Sequence, residues 1–224
     1  MNDMADTVFL FDVDNTLLDN DRVLVDMGAH LAEVYGEATR DRFWAIFEEI
    51  RGELGYADYL GTLERYRLEA MHHPKLLRMA NWLVDNPFHE RVYPQALDVV
   101  RRAQAVGVTS ILSDGDAVFQ PRKVERAGIW PVFGDNVLIY VHKELELDDV
   151  EAHFPAKHYV LIDDKLRILD AVKRIWGDRV TTVFPRQGHY ATDPQEVAKY
   201  PPADVTVERI GDLLERDLAA LARR

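Results

Sequence analysis

Short apolar runs alternate along the chain with stretches that carry apolar residues every three or four positions. Runs at residues 8–13, 108–113, 137–141, 159–163, 180–184 and 203–207 are five or six residues long. Near-continuous apolar runs of this length are the pattern of strands buried on both faces. Between them, Ala96, Leu97, Val99, Val100, Ala103 and Val106 follow a helical stripe that stops at Gly107. Leu166, Leu169, Val172 and Trp176 line a second, stopped by Gly177. Strand and helix in alternation predict an α/β fold, a parallel sheet with helices on both faces.

The interval between Leu18 and Val92 breaks this rhythm. Four helical stripes occupy it: Val23, Leu24, Met27, Leu31 and Val34; Phe43, Trp44, Phe47, Ile50 and Leu54; Tyr59, Leu60, Leu63 and Tyr66; Leu76, Leu77, Ala80 and Leu83. It is flanked by Asp19-Asn20-Asp21 and by Asn86-Pro87 through Pro94. The expected organisation is a core of residues 1–18 and 92–224 with an all-helical insert at 19–91, whose aromatics serve bundle packing. Residues 209–224 read as one terminal surface helix.

The length of 224 residues suits one large domain or a core with a smaller insert. A net charge of −12 argues against nucleic acid or an anionic membrane as partner, since both demand basic surface. The chain has no cysteine, which removes disulfides, thiolate zinc sites and cysteine nucleophiles. No window approaches the roughly 20 apolar residues that cross a bilayer. The run at 8–11 is too short for a signal-peptide core, so the cytoplasm is the expected location.

The candidate chemistry gathers at the ends of the predicted strands. Val8-Phe9-Leu10-Phe11 leads straight into Asp12-Val13-Asp14-Asn15-Thr16. Open parallel sheets place ligands at the carboxyl ends of their strands. Two carboxylates at one such tip repel, and are tolerated when a cation sits between them or a proton is shared. Asp163-Asp164 closes the apolar run Tyr159-Val160-Leu161-Ile162, and burying even one unpaired charge is costly. Ser113 ends the run at 109–112, with Asp114 next, and Lys143 follows the run at 137–141.

Taken together, these four sites resemble the four motifs of the haloacid dehalogenase (HAD) superfamily in its phosphatase form. Asp12-Val13-Asp14-Asn15-Thr16 is similar to the first, Ser113 to the second, Lys143 to the third and Asp163-Asp164 to the fourth. Lys123 competes with Lys143 for the third but lies within a helical pattern. Asp114 stands where the family more often has Asn, and adds negative charge. The resemblance covers residues 7–18 and 93–207.

What the resemblance implies is a HAD-like Rossmannoid core with a helical cap, and a Mg²⁺-dependent phosphatase of a small phosphorylated metabolite. Asp12 would be the nucleophile, forming an aspartyl-phosphate. Asp14 would protonate the leaving oxygen and then deprotonate water, so it must carry a proton at the outset, which burial and neighbouring negative charge favour. Mg²⁺ would be held by the Asp12 side chain, the Asp14 backbone carbonyl and Asp164, with Asp163 acting through water; the choice between Asp163 and Asp164 stays open. Ser113 and Lys143 would bind phosphoryl oxygens, with Thr16 and Asp114 also at the substrate site.

Other activities fit the same core. A 2-haloacid dehalogenase would share Asp12 but needs neither Mg²⁺ nor a proton donor, so Asp14 and the acidic pair count against it. A phosphotransferase or mutase differs only in what meets the intermediate. A catalytically silent binding relative would be expected to lack one of the four motifs. The pattern names no oligomeric state. His72-His73-Pro74 reads as a surface turn, His142 as a structural histidine beside Lys143, Asp148-Asp149-Glu151 as a solvated face, and Arg186-Gln187-Gly188-His189-Tyr190 as a polar loop on the site's rim.

Overall fold

The computed structural model describes residues 4–71 and 75–222. The turn expected at His72-His73-Pro74 lies outside the described residues. All six predicted strands are present, as β1 (Ala5–Phe11), β2 (Val108–Asp114), β3 (Val137–Tyr140), β4 (Ala156–Ile162), β5 (Val180–Pro185) and β6 (Val205–Val207). They form one parallel sheet in the order β3-β2-β1-β4-β5-β6. The chain builds outward from β1 to one edge, then returns to build the other. β1 therefore marks a reversal of strand order, where such sheets open a crevice at their carboxyl ends.

Alternation along β1 explains why the sheet is covered on both sides. Val8 and Leu10 pack with Leu112, Tyr159 and Leu161, while Phe9 and Phe11 pack with Ile111, Val160 and Ile162 on the opposite face. The helices are α1 (Asn20–Tyr35), α2 (Glu37–Leu54), α3 (Tyr59–Glu69), α4 (Leu76–Asp85), α5 (Ala96–Gln104), α6 (Phe119–Arg126), α7 (Trp130–Phe133), α8 (Leu147–His153), α9 (Leu166–Trp176), α10 (Gly188–Thr192), α11 (Pro194–Val197) and α12 (Leu218–Leu221). Helices α8 and α9 cover the face of Val8 and Leu10; α5, α6 and α7 cover the other. Among the described residues no helix is long and apolar enough to cross a membrane.

Helices α1 to α4 form the insert between β1 and β2. Much of each apolar stripe is buried as its spacing predicts, with Met27, Leu31, Phe43 and Leu83 at most 1% exposed. Val34, Leu54 and Leu77 face outward, and Ile46 and Met79, outside the predicted stripes, fill the bundle instead. The incoming and outgoing chains are tied to each other. Leu18 bridges Val92 in antiparallel fashion, Tyr93 N–H donates to Leu17 O at 2.9 Å, and Asp19 N–H donates to Arg91 O at 2.7 Å. The insert thus leaves and rejoins the core at one place.

The expected helix at 209–224 is not continuous. Residues Ile210–Glu215 form a 3₁₀ turn and Leu218–Leu221 a separate short helix. The Asp217 carboxylate accepts the Ala219 and Ala220 N–H groups at 3.0 and 3.2 Å, capping a new start and so interrupting the old one. Nor is the segment merely superficial, since Ile210, Leu213, Leu218 and Leu221 are buried.

Truncating Phe43, fully buried in the insert, to alanine is expected to cost about 3–5 kcal/mol. Leu68→Ala, at a side chain 75% exposed, is expected to stay within about 0.5 kcal/mol. Urea denaturation of both variants against the wild type measures the contrast.

Candidate active site

Four adjacent strands, β3, β2, β1 and β4, deliver the chemical groups side by side. Asp12 follows β1, Ser113 and Asp114 end β2, Lys143 follows β3 through a short turn, and Asp163 and Asp164 follow β4. The ladder continues just past the strands: Asp12 N–H donates to Ile162 O at 3.0 Å and Asp163 N–H to Val183 O at 3.1 Å. Register therefore fixes which side chains meet. Asp12, Lys143, Asp163 and Asp164 are all buried.

One ammonium serves two carboxylates here. Lys143 Nζ lies 2.6 Å from Asp12 Oδ1, 2.6 Å from Asp163 Oδ2 and 3.2 Å from the Leu112 carbonyl. Burial opposes its charge, but Asp12, Asp163 and Asp114 outweigh that and hold it well above the ordinary lysine range. Asp163 also accepts the Lys165 N–H at 2.8 Å. Ser113 Oγ donates to Asp12 Oδ1 at 3.3 Å, and Asp114 accepts the Lys143 N–H at 2.8 Å.

Asp164 is different. Neither of its carboxylate oxygens has a hydrogen-bond partner, and Asp12 Oδ2 has none either. Asp12, Asp163 and Asp164 each offer an oxygen within 4.8 Å of the others. Burial, the largest influence, pushes Asp163 up to about 6 and Asp164 well above the usual carboxylate range, against the pull of Lys143 and Lys165. Those same carboxylates raise Lys165 in spite of its burial. Hard oxygen ligands without partners, buried and convergent, fit a divalent cation such as Mg²⁺. Asp164, the unpartnered one, is the better placed to bind directly.

Asp14 departs from expectation. Its side chain is 24% exposed, and its nearest charged neighbour is a cation, Lys123 Nζ, 2.5 Å from Oδ1. Lys123 is itself 1% exposed and also donates to Asn20 Oδ1 at 3.2 Å. Gln120, one turn earlier on α6, reaches Asp14 Oδ2 at 3.4 Å and Ser113 Oγ at 3.0 Å. Lys123 does sit on a helix, as its pattern predicts, but that helix points it into the site. The spacing of three between Gln120 and Lys123 puts both on one helical face. That face opens directly after the second strand tip, a signal available in the sequence.

A polar scaffold holds the loop after β1. Asn15 adopts φ +58°, a left-handed conformation that asparagine tolerates. Thr16, fully buried, accepts the Asp164 N–H on its hydroxyl at 3.1 Å, so it braces the acidic pair. Gln187 Nε2 donates to the Asn15 and Thr16 carbonyls, both at 3.2 Å. Gly188 has φ +72°, and a Cβ there would come within 2.5 Å of Asn15. His189 meets Asp21 through its N–H at 2.7 Å and its ring Nδ1 at 2.6 Å, and Asn15 Nδ2 donates to Asp21 at 3.0 Å. The stretch at 186–190, expected to be a loop, enters α10 at Gly188 and braces the first motif, while Arg186 turns away to Glu208 at 3.3 Å. The acidic stretch at 148–151 is likewise only partly solvated, since Asp149 accepts the Tyr140 hydroxyl at 2.5 Å and Glu151 pairs with Arg179 at 2.9 Å.

Above these groups a cavity of about 580 Å³ opens between the insert and the core. Asp14, Asp114, Gln120 and Lys165 line its floor, and Trp44, Phe47, Tyr56 and Tyr59 part of its wall. His142 lines it too. The aromatics of the insert do pack in its bundle, but several of them also face this space.

The sequence profile of haloacid dehalogenase-like hydrolases matches residues 7–184. A solved structure from Burkholderia xenovorans LB400, called a haloacid dehalogenase-like hydrolase, is 61% identical over 95% of this chain and 99% of its own, with a TM-score of 0.89. L-2-haloacid dehalogenase from Xanthobacter autotrophicus shares the fold at 20% identity over 93% of this chain and 96% of its own, TM-score 0.61. A magnesium-bound HAD-hydrolase from Bacillus subtilis does so at 14% identity over 94% and 97%, TM-score 0.61. No curated protein matches the chain.

The raised carboxyls carry a sign. The folded protein binds more protons than the unfolded chain between the ordinary value of 3.8 and about 6 at Asp163, and to higher pH at Asp164. Above the range where the protein's other carboxylates titrate, these two groups are expected to cost metal-free protein stability as pH rises through about 6 and beyond. Mg²⁺ at 100 times its Kd should restore about 2.7 kcal/mol. Asp164→Asn should flatten the pH dependence and abolish the Mg²⁺ effect. Melting temperatures across pH, in EDTA and in Mg²⁺, test all three.

Proposed function

The chain belongs to the haloacid dehalogenase-like hydrolase family, and from that premise we propose that it is a Mg²⁺-dependent phosphatase of small phosphomonoesters. The observation that carries this reading is Asp164, buried with both oxygens unpartnered beside Asp12 and Asp163. A dehalogenase needs neither a metal nor an acid for its leaving group, since halide departs as a stable anion, whereas three convergent carboxylates beside Asp14 suit a metal-dependent ester cleavage. The Asp12 side chain, Asp164 and the Asp14 carbonyl would hold the ion, with Asp163 behind them. When bound, the ion supplies positive charge that neutralises the phosphoryl oxygens and aligns them.

The chain's own groups account for the remaining steps. Lys143 and Ser113 orient the Asp12 carboxylate through Oδ1. One Asp12 oxygen attacks phosphorus in line, and the bond from phosphorus to the leaving oxygen breaks. Asp14 gives that oxygen its proton. Water then attacks the phosphorus of the aspartyl-phosphate, Asp14 takes the water's proton, and the restored Asp12 carboxylate leaves with its bonding pair. Lys123, 2.5 Å from Asp14, would balance the negative charge that Asp14 carries between the two proton transfers. Lys143 also balances charge as it spreads over the equatorial oxygens. The helical cap forms one side of the cavity, and its closure over a bound ester would limit access of bulk water.

With a phosphomonoester and Mg²⁺, inorganic phosphate release is expected, and EDTA should stop it. Asp12→Asn should lower turnover at least roughly 10³-fold. Asp14→Asn should lower it about 10²–10⁴-fold, more for alkyl than for aryl esters. Halide release from a 2-haloacid, undiminished by EDTA, would replace this reading with the dehalogenase.

A further inference from the structure

The walls of the cavity carry information that its floor does not. The floor is polar and charged: Asp14, Asp114, Gln120 and Lys165. The insert's side is furnished by Leu24, Val25, Trp44, Phe47 and Tyr56. Phe47 stacks on Tyr59 at 5.0 Å, and Tyr59 meets Phe119 of the core at 4.7 Å, so rings run continuously from insert to core. Val25 is 58% exposed and Val141, on the facing side, 44% exposed, although both line this space. Branched apolar side chains left open beside a charged floor are surface that a ligand's body can cover.

The insert's polar groups at the cavity are largely committed to protein partners. Arg51 pairs with Glu48 at 2.7 Å, its guanidinium 5.9 Å from the centre of the Phe47 ring. Asn20 accepts from Lys123. A polyhydroxylated body would give up its hydration there for few new hydrogen bonds, which disfavours it. A ring would gain contact with aromatic and aliphatic walls. The volume of about 580 Å³ also exceeds the needs of a two- or three-carbon acid.

We propose that the substrate is a phosphate monoester of a ring-bearing, apolar alcohol, whose body lies against Val25, Trp44 and Phe47 while its phosphoryl group meets the floor. This assignment rests on the phosphatase reading. It makes the cap a discriminator by burial of rings, with the phosphoryl chemistry common to any ester that fits.

Two primary-alcohol esters of similar bond reactivity test it: 2-phenylethyl phosphate and glycerol 1-phosphate, with the wild-type chain and Mg²⁺. The kcat/KM ratio is expected to favour the phenyl ester about tenfold or more, chiefly through KM, equivalent to roughly 1.4 kcal/mol. In Val25→Asp, at an exposed position, and in Trp44→Ala the ratio should fall towards one. A wild-type ratio near one, or a ratio unmoved by both substitutions, overturns the inference. Calorimetry with 2-phenylethylphosphonate and 3-hydroxypropylphosphonate reads the cavity without turnover. Tighter binding of the phenyl compound with neither ester cleaved would retain the ring preference and remove the phosphatase. Equal binding of the two removes the ring preference, whatever the esters do.

Discussion

Asp12, Asp163 and Asp164 meet at the ends of two neighbouring strands, and Lys143 touches the first two at 2.6 Å each. Like charges buried this closely repel, and only fixed counter-charge makes the arrangement tolerable. Because β1 is hydrogen-bonded on one side to β2 and on the other to β4, its register cannot slip without separating Asp12 from both Ser113 and Asp163. The core's packing thus serves as a clamp on the acidic cluster. Lys143 quenches part of the repulsion and Lys165 some more. Asp164 is left with oxygens that match the ligand preferences of a small divalent ion.

Support for this cluster comes from parts of the chain far apart in sequence. Thr16 holds Asp164 through its backbone, Gln187 holds the carbonyls of Asn15 and Thr16, and Asp21 joins the first helix of the insert to His189. Lys123 then connects Asp14 with Asn20, also at the insert's base. The position of the insert and the position of Asp14 are therefore read by the same few hydrogen bonds. A change at the insert's base is felt at Asp14, the proposed acid and base.

Most of this was legible where periodicity is strong. The six strands, the four insert helices and α9 follow directly from where Val, Leu, Ile and Phe recur, since burial of a face is what sets that recurrence. Asp12, Ser113, Lys143 and the acidic pair stood out because charge and hydroxyl at the end of an apolar strand have few structural uses. Gln120 and Gln187 were opaque for the opposite reason, and Lys123 stood out only as a rival to Lys143, not as the partner of Asp14. Each is a polar residue in a polar-looking stretch; the shared helical face of Gln120 and Lys123 hints at a common direction, and tertiary packing turns it inward. The segment at 209–224 misled because its apolar spacing fits a helix, whereas Asp217 offers the backbone a competing cap. The stretch at 186–190 concealed its role because Gly188 matters for the atom it lacks.

The tie between Leu18 and Val92 has a consequence for how the polypeptide is born. Val8 pairs with Val108 and with Tyr159. At ordinary rates of translation, the residues separating Val8 from Val108 take roughly 5–20 s to be made. Through that wait the most apolar strand of the nascent chain has no partner. The four insert helices, built from local contacts, can collapse meanwhile and draw Leu18 and Val92 together. An early-folding insert thus shortens the loop that β1 must close to find β2, acting as an internal guide for assembly of the sheet.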